Sequence, residues 1–215
     1  KNDMNGFFEE LKSKTDLVKD QLLERLEIQS NKKAYNFPFL MKQNVWIDSE
    51  KIRDDDKVRR ILKQGAMEIK FTGLNECVAA LTDTINYDSK EAKDLALKIV
   101  NIMKAKTQEF EKKYTFNFLL AGNENETIDK EFLEFDRVIF GKVKNVTDKE
   151  RYSSSFEIPN ETNLEKKIKV ESEFHELTNG GHRLLIKKNS KIDEDYLLKL
   201  ISEMYDSEIG FAKIV

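Results

Sequence analysis

One cysteine, two histidines and no long apolar run set the first limits on this 215-residue chain. The lone Cys77 excludes an internal disulfide and cannot build a cysteine zinc cluster. No stretch approaches the ~20 apolar residues that a membrane span requires, and no secretory pattern opens the chain. A net charge of −3 gives no electrostatic case for nucleic acid or an anionic membrane. Neither a low-complexity linker nor a repeat of fixed period divides the sequence. The first residue is Lys1, not an initiator methionine, which points to a removed tag or a piece cut from a longer protein. These absences lead us to expect a cytosolic protein with a single α/β domain over residues 1–215.

Charged residues make up 36% of the chain and hydrophobic ones 39%, a balance that predicts good solubility together with a proper core. The stretch Met67 to Leu81 organises the rest. Met67, Ile69 and Phe71 alternate as in a strand with one buried face. Gly73 allows a sharp turn, and Leu74, Val78 and Leu81 then share one face of a helix. Such a junction puts Asn75 and Glu76 at the carboxyl end of a strand, where α/β proteins usually place their sites.

Before this unit, residues 5–33 read as one long amphipathic helix, with Leu11, Thr15, Val18, Leu22 and Leu26 on its inner stripe. Pro38 disfavours helical geometry at Phe37. Val45-Trp46-Ile47 suggests a strand edge, and Asp54-Asp55-Asp56 suits a helix start. After the unit, Asp88 and Glu91 resemble a capping box. Ala92, Leu95, Ile99, Met103 and Phe110 mark a further long helix. Phe116 to Ala121 reads as a strand covered on both faces, followed by a polar loop, Gly122 to Glu126. Phe132, Phe135 and Ile139 argue for a helix that Gly141 closes. Tyr152 to Pro159 is an extended polar stretch. The alternation of Ile168, Val170, Ser172 and Phe174, the turn Thr178 to Gly181 and the run Leu184 to Ile186 together predict a hairpin or bulged pair. Asp193 caps a helix that turns Tyr196, Leu197, Leu200, Ile201 and Met204 inward, and Ile209 to Val215 forms a terminal strand. Strand and helix thus alternate, which argues for an α/β domain or part of a barrel.

Five motifs occur in order along this framework: Phe37-Pro38-Phe39-Leu40-Met41, Val45-Trp46-Ile47-Asp48, Phe71-Thr72-Gly73-Leu74-Asn75-Glu76-Cys77, Val146-Thr147-Asp148-Lys149-Glu150 and Leu177-Thr178-Asn179-Gly180-Gly181-His182. In this order and spacing the chain resembles the anaerobic (class III) ribonucleoside-triphosphate reductases, which are glycyl-radical enzymes. The resemblance covers nearly the whole chain and implies the later part of a ten-stranded α/β barrel.

It also implies a chemistry: radical reduction of a ribonucleoside triphosphate to the deoxyribonucleotide, started by a glycyl radical that a separate activase generates. Glycyl radical and structural zinc are expected only in a full-length family member, whose zinc site and radical loop would follow the position of Val215. A homodimer is likewise implied for the full-length form. For this chain the resemblance implies no cofactor and no metal, and Cys77 falls outside the loop that carries the family's thiyl cysteine. The family's P-A-E motif, matched onto Asn123-Glu124-Asn125-Glu126, makes Glu126 the catalytic carboxylate, able to accept a ribose hydroxyl proton. The family's Y-Y-T-N-S-F-H is here Arg151-Tyr152-Ser153-Ser154-Ser155-Phe156-Glu157. Asn75, Glu76, Ser153, Ser155 and Asn179 complete the substrate-binding set, with Glu126 expected near the Gly73–Glu76 turn. His175 and His182 match the family pattern too, but they lack further ligands nearby and are expected to be hydrogen-bonded strand-end residues. Two readings follow. One is a fragment of the reductase, inactive in isolation; the other is a reductase-like protein without catalysis that keeps a nucleotide-binding or assembly role.

Overall fold

The computed structural model describes residues 3–83, 89–159, 163–187 and 192–215. In chain order its elements are α1 (Met4–Ser30), α2 (Pro38–Lys42), α3 (Arg59–Leu62), β1 (Ala66–Phe71), α4 (Leu74–Thr82), α5 (Lys90–Tyr114), β2 (Asn117–Gly122), α6 (Glu126–Phe140), α7 (Leu164–Leu177), β3 (Leu184–Ile186), α8 (Glu194–Tyr205) and β4 (Ala212–Ile214). Two compact units result. One comprises residues 1–8, 70–104 and 120–215, the other residues 9–69 and 105–119. β1 and β2 form one two-stranded sheet, β3 and β4 another.

In the second unit a small core gathers Ala34, Met41, Val58 and Ile61, with Trp46 packed against it. Pro38 opens α2 at its first position, where a missing N–H costs nothing. Val45 and Ile47 are exposed, and no strand forms there. Trp46 alone turns inward, and its indole N–H donates to the Ile61 carbonyl at 3.2 Å. Helix α3 begins at Arg59, after a Val58 N-cap; the acidic run precedes it, and Asp56 accepts from the Arg53 amide instead. Phe110 and Phe118 meet edge to face with centroids 5.6 Å apart, both almost fully buried.

In the first unit the core joins Ile168, Leu184, Ile186, Leu200 and Ile209. β3 and β4 run parallel, in register Leu184↔Ala212 through Ile186↔Ile214. They make a strand–helix–strand unit with α8 as the crossover. The predicted hairpin is therefore overturned: residues 168–174 belong to helix α7, capped by the Asn163 side chain, which accepts from the Glu165 amide. The difference has a physical cause. The inner face of α7 carries Lys167, Ile168, Glu171, Phe174 and His175, and three of those five residues are polar. Without an apolar stripe at helical spacing, only the accidental alternation stood out.

Other helices form as predicted but bury fewer residues. In α8, Leu200 is buried, whereas Leu197 and Ile201 are exposed. In α6, Leu133 and Asp129 point inward while Phe132, Phe135 and Ile139 face outward. Asp88 lies outside the described residues; at the start of α5 it is the Ser89 hydroxyl that accepts from the Ala92 amide, at 3.4 Å. Among the described residues no helix is long and apolar enough to cross a membrane.

The two burial environments predict different costs. Phe118→Ala, at 1% exposure, should destabilise the chain by about 3–5 kcal/mol in urea unfolding. Phe135→Ala, at 63% exposure, should change it by no more than about 0.5 kcal/mol.

Candidate functional site

Three segments of the first unit, with Lys149 to Arg151 and with Lys187 after β3, line a cavity of about 410 Å³. One is the turn from β1 into α4. Gly73 takes φ 78°, and its α-carbon faces the Tyr152 ring, so a Cβ there would add backbone strain beside that ring. The turn puts Asn75 and Glu76 into the first turn of α4, both buried. The second is the link from β2 to α6, where Asn125 caps the helix by accepting from the Thr127 amide at 3.0 Å. Glu126 is the first residue of α6. The third is the irregular segment Tyr152 to Ile158, buried almost throughout.

Side chains hold this third segment in place. Glu76 accepts from the Ser153 amide at 3.0 Å and the Ser153 hydroxyl at 2.7 Å, while Lys149 reaches its other oxygen at 2.6 Å. Arg137 of α6 in turn binds the carbonyls of Thr147 and Lys149. Asn75 holds both backbone groups of Glu157, donating to its carbonyl at 2.7 Å and accepting from its amide at 3.2 Å. Lys167 and Glu171 of α7 do the same for Ile158, at 2.6 and 2.8 Å. Thr72 and the Gly73 amide both donate to the Ser153 carbonyl.

Four predicted site residues, Asn75, Glu76, Glu126 and Ser153, line the one cavity, together with Lys130, Lys149, Arg151 and Glu157 among others. Glu126 and the Gly73–Glu76 turn therefore lie at the same end of the strands. The remaining two stand apart. Ser155 is fully buried, and its hydroxyl has no hydrogen-bond partner among the described residues. Asn179 is spent on structure: its side-chain oxygen accepts from the Leu120 amide at 3.1 Å, and the Gly180 amide donates to the Leu120 carbonyl at 2.8 Å. Gly181, with φ 130°, completes that turn.

Sequence reasoning missed three charged residues. Arg183, buried beside β3, donates to the Glu124 carbonyl and the Ser154 hydroxyl, both at 3.3 Å, and its guanidinium lies 3.7 Å from Glu126. Arg151 and Glu157 pair at 3.1 Å. Their one sequence signal was position: both sit at the ends of the segment where it departs from the family pattern.

Burial dominates the electrostatics. It pushes the Glu171 carboxyl up to about 7 against the pull of Lys167, and the Cys77 thiol up to about 11. Cys77 is half-buried on α4 and does not line the cavity. Tyr152 is raised as well, first by burial and then by its hydrogen bond to Asp136 at 2.8 Å. Of the two histidines, His182 lies two residues before β3, whereas His175 is not at a strand end. His175 lies on α7 and stacks on His182 with centroids 4.1 Å apart. Burial holds them down at about 3 and about 4 respectively, helped at His175 by the neighbouring His182 and opposed at His182 by the backbone of Phe174. Nor does any group of three or more His, Cys, Asp or Glu side chains among the described residues form a metal cluster.

The sign of the histidine effect is fixed. Between about pH 6.5 and about 3, unfolded chain takes up the proton that folded His175 refuses, so stability falls as pH falls. His175→Phe keeps a stacking ring and removes that linkage. Relative to the native chain, the variant should gain about 1.4 kcal/mol per pH unit on acidification through that window, measured by urea unfolding at several pH values.

Comparison with known proteins places this geometry in context. A family model described as "Anaerobic ribonucleoside-triphosphate reductase" matches residues 1–215. The reductase of that name from Salmonella typhimurium is 27% identical over 186 residues, which are 84% of this chain and 26% of the relative. That of Enterobacteria phage T4 is 25% identical over 180 residues, 82% of this chain and 28% of the relative. The chain thus spans about a quarter of the length of the curated relatives it matches. The crystal structure of the Thermotoga maritima anaerobic ribonucleotide reductase, with dATP bound in the specificity site, superposes with a TM-score of 0.72 at 17% identity. It covers 99% of this chain and 34% of that one, and the same enzyme with citrate in the active site gives 0.71. The fold is shared.

Proposed function

This chain belongs to the anaerobic ribonucleoside-triphosphate reductase family, and from that premise we propose that its cavity is part of the ribonucleotide site of such a reductase. The observation that carries the reading is the convergence of Asn75, Glu76, Glu126 and Ser153 on one cavity. On this reading all 215 residues form the later part of a ten-stranded α/β catalytic barrel in a cytosolic enzyme. A radical-generating activase and a second copy of the enzyme are its partners.

Glu126 is the working carboxylate. It starts α6, where the helix dipole favours negative charge, and its side chain is 44% exposed, open to a ligand. Its role would be to accept a proton from a ribose hydroxyl while the 2′-hydroxyl takes up a proton and leaves as water. Glu76 has another task, because both its oxygens are already engaged by Lys149 and Ser153. It holds the Ser153 wall. Ser153 and the first turn of α4 face the nucleotide, and Asn75 keeps the Glu157 backbone beside them.

When present, the family's glycyl radical supplies the agent that generates a thiyl radical for hydrogen abstraction. Cys77 does not fit the thiyl role, since it sits on α4 outside the cavity with its thiol pushed up by burial. A polypeptide of these 215 residues, incubated with an activase, should accordingly show no ribonucleotide reduction. Binding is the positive test. CTP added to the ¹⁵N-labelled chain should perturb amides of the α4 and α6 first turns and of residues 153–158, and Glu126→Gln should leave this binding largely intact. Perturbations confined to other surfaces would sink the assignment of the site.

A further inference from the structure

The segment between Arg151 and Glu157 is closed by its own ends. The Arg151 guanidinium donates to Glu157 at 3.1 and 3.4 Å and to the Tyr152 carbonyl at 2.8 Å. Glu157 returns across the loop, where one carboxylate oxygen accepts from the Ser154 amide at 2.8 Å. Both residues line the cavity. Between them lies Ser153, whose hydroxyl accepts from the Asn75 amide at 3.2 Å and donates to Glu76. Asp129 stands 3.9 Å from the same guanidinium.

We propose that Arg151 and Glu157 are positioning residues of the ribonucleotide site, a two-charge clasp that fixes the Ser153 wall in its ligand-ready form before ligand arrives. The proposal rests on the reading of the cavity given above. Three features support it. The pair has ring-closing geometry, a forked guanidinium on a carboxylate, which specifies orientation as well as distance. The clasp is mostly shielded from water, with side-chain exposures of 16% and 19%, so it escapes the screening that makes surface pairs weak. And its bonds reach two backbone groups inside the loop, the Tyr152 carbonyl and the Ser154 amide, so breaking it frees the segment from within. The two positions at which the loop's ends depart from the family pattern are thus in contact and oppositely charged.

The titratable groups around Glu157 come from several elements: Arg151 on its own segment, with Asp129 of α6 beside it, Lys167 and Glu171 of α7, His182 before β3, and Glu76, Glu126, Lys130, Lys149, Glu150 and Lys187 around the cavity. Burial works against the ionised carboxyl, yet Arg151 and the Ser154 amide outweigh it and hold Glu157 below the usual carboxylate range.

The test uses the whole 215-residue chain. The Ser154 amide shift in ¹H–¹⁵N spectra reports ionisation of Glu157, and CTP affinity is followed across the same pH range. In the native chain the amide shift should hold steady down to the acid side of the carboxylate range. With Arg151→Met its midpoint should move up by about one pH unit or more, CTP binding at pH 7 should weaken about tenfold, and affinity should fall further around that new midpoint. Arg151→Lys, which keeps the charge and loses the fork, should give a smaller shift of the same sign and guards against a methionine variant that fails to fold. An unmoved Ser154 midpoint in both variants would overturn the clasp. A moved midpoint with unchanged CTP affinity would overturn the positioning role. If native chain binds no CTP while the midpoint still moves, the clasp stands and the assignment of the cavity to ribonucleotide falls.

Discussion

A buried stretch of irregular backbone must find a partner for each N–H and C=O away from water, and no neighbouring strand or helix ladder supplies them for residues 152–158. Backbone groups outside any ladder serve some of them, the Asp129 carbonyl for Tyr152 and the Gly73 and Asn123 amides for the Ser153 and Ser154 carbonyls. Side chains serve the rest: Glu76 for the Ser153 amide, Glu157 for Ser154, Asn75 for Glu157 and the Lys167–Glu171 pair for Ile158. Each stands in for a missing strand. Take away one acceptor and a buried amide is left unpaired, at a cost of about 1–3 kcal/mol. The cavity wall therefore depends on residues from α4 and α7, two helices that would otherwise count only as scaffold.

Three ion pairs accompany this arrangement: Lys149–Glu76, Arg151–Glu157 and Lys167–Glu171. Desolvation offsets much of the attraction in such pairs, so their contribution is better measured in specificity than in net stability. Each carboxylate also accepts from a backbone amide, which gives its charge a fixed place to act. Glu171 illustrates the balance. Burial raises its carboxyl to about 7 even with the Lys167 ammonium 2.6 Å away.

Much of this was legible in the residues, for identifiable reasons. β1, α4, α5, β2, α6 and α8 announce themselves because apolar residues or caps recur at the period of the element, as with Met67-Ile69-Phe71 or the Asp193 cap. α7 did not, since Lys167, Glu171 and His175 occupy its inner face. Of the site, Asn75, Glu76, Glu126 and Ser153 could be named from motif order, and they meet. Ser155 and Asn179 came from the same motifs and serve the interior and a turn instead. Arg151, Glu157 and Arg183 were passed over because a charged residue in a polar stretch is usually solvated. Only the fold reveals that Arg183 is buried and that the other two face each other.

The 152–158 segment has a kinetic consequence as well. Its partners lie far away in sequence, with Glu76 and Ser153 separated by 77 positions and Asn75 and Glu157 by 82. Loop-closure entropy of that length is met before any such contact forms, and none of them can form until α4 and α7 present their side chains. Sequence separation alone therefore argues that the wall of the cavity closes after the helices that carry it have made their local contacts. In a chain emerging from the ribosome, α4 must wait for some eighty further residues before Glu76 finds its partner. Until then a carboxylate destined for the interior stays in water.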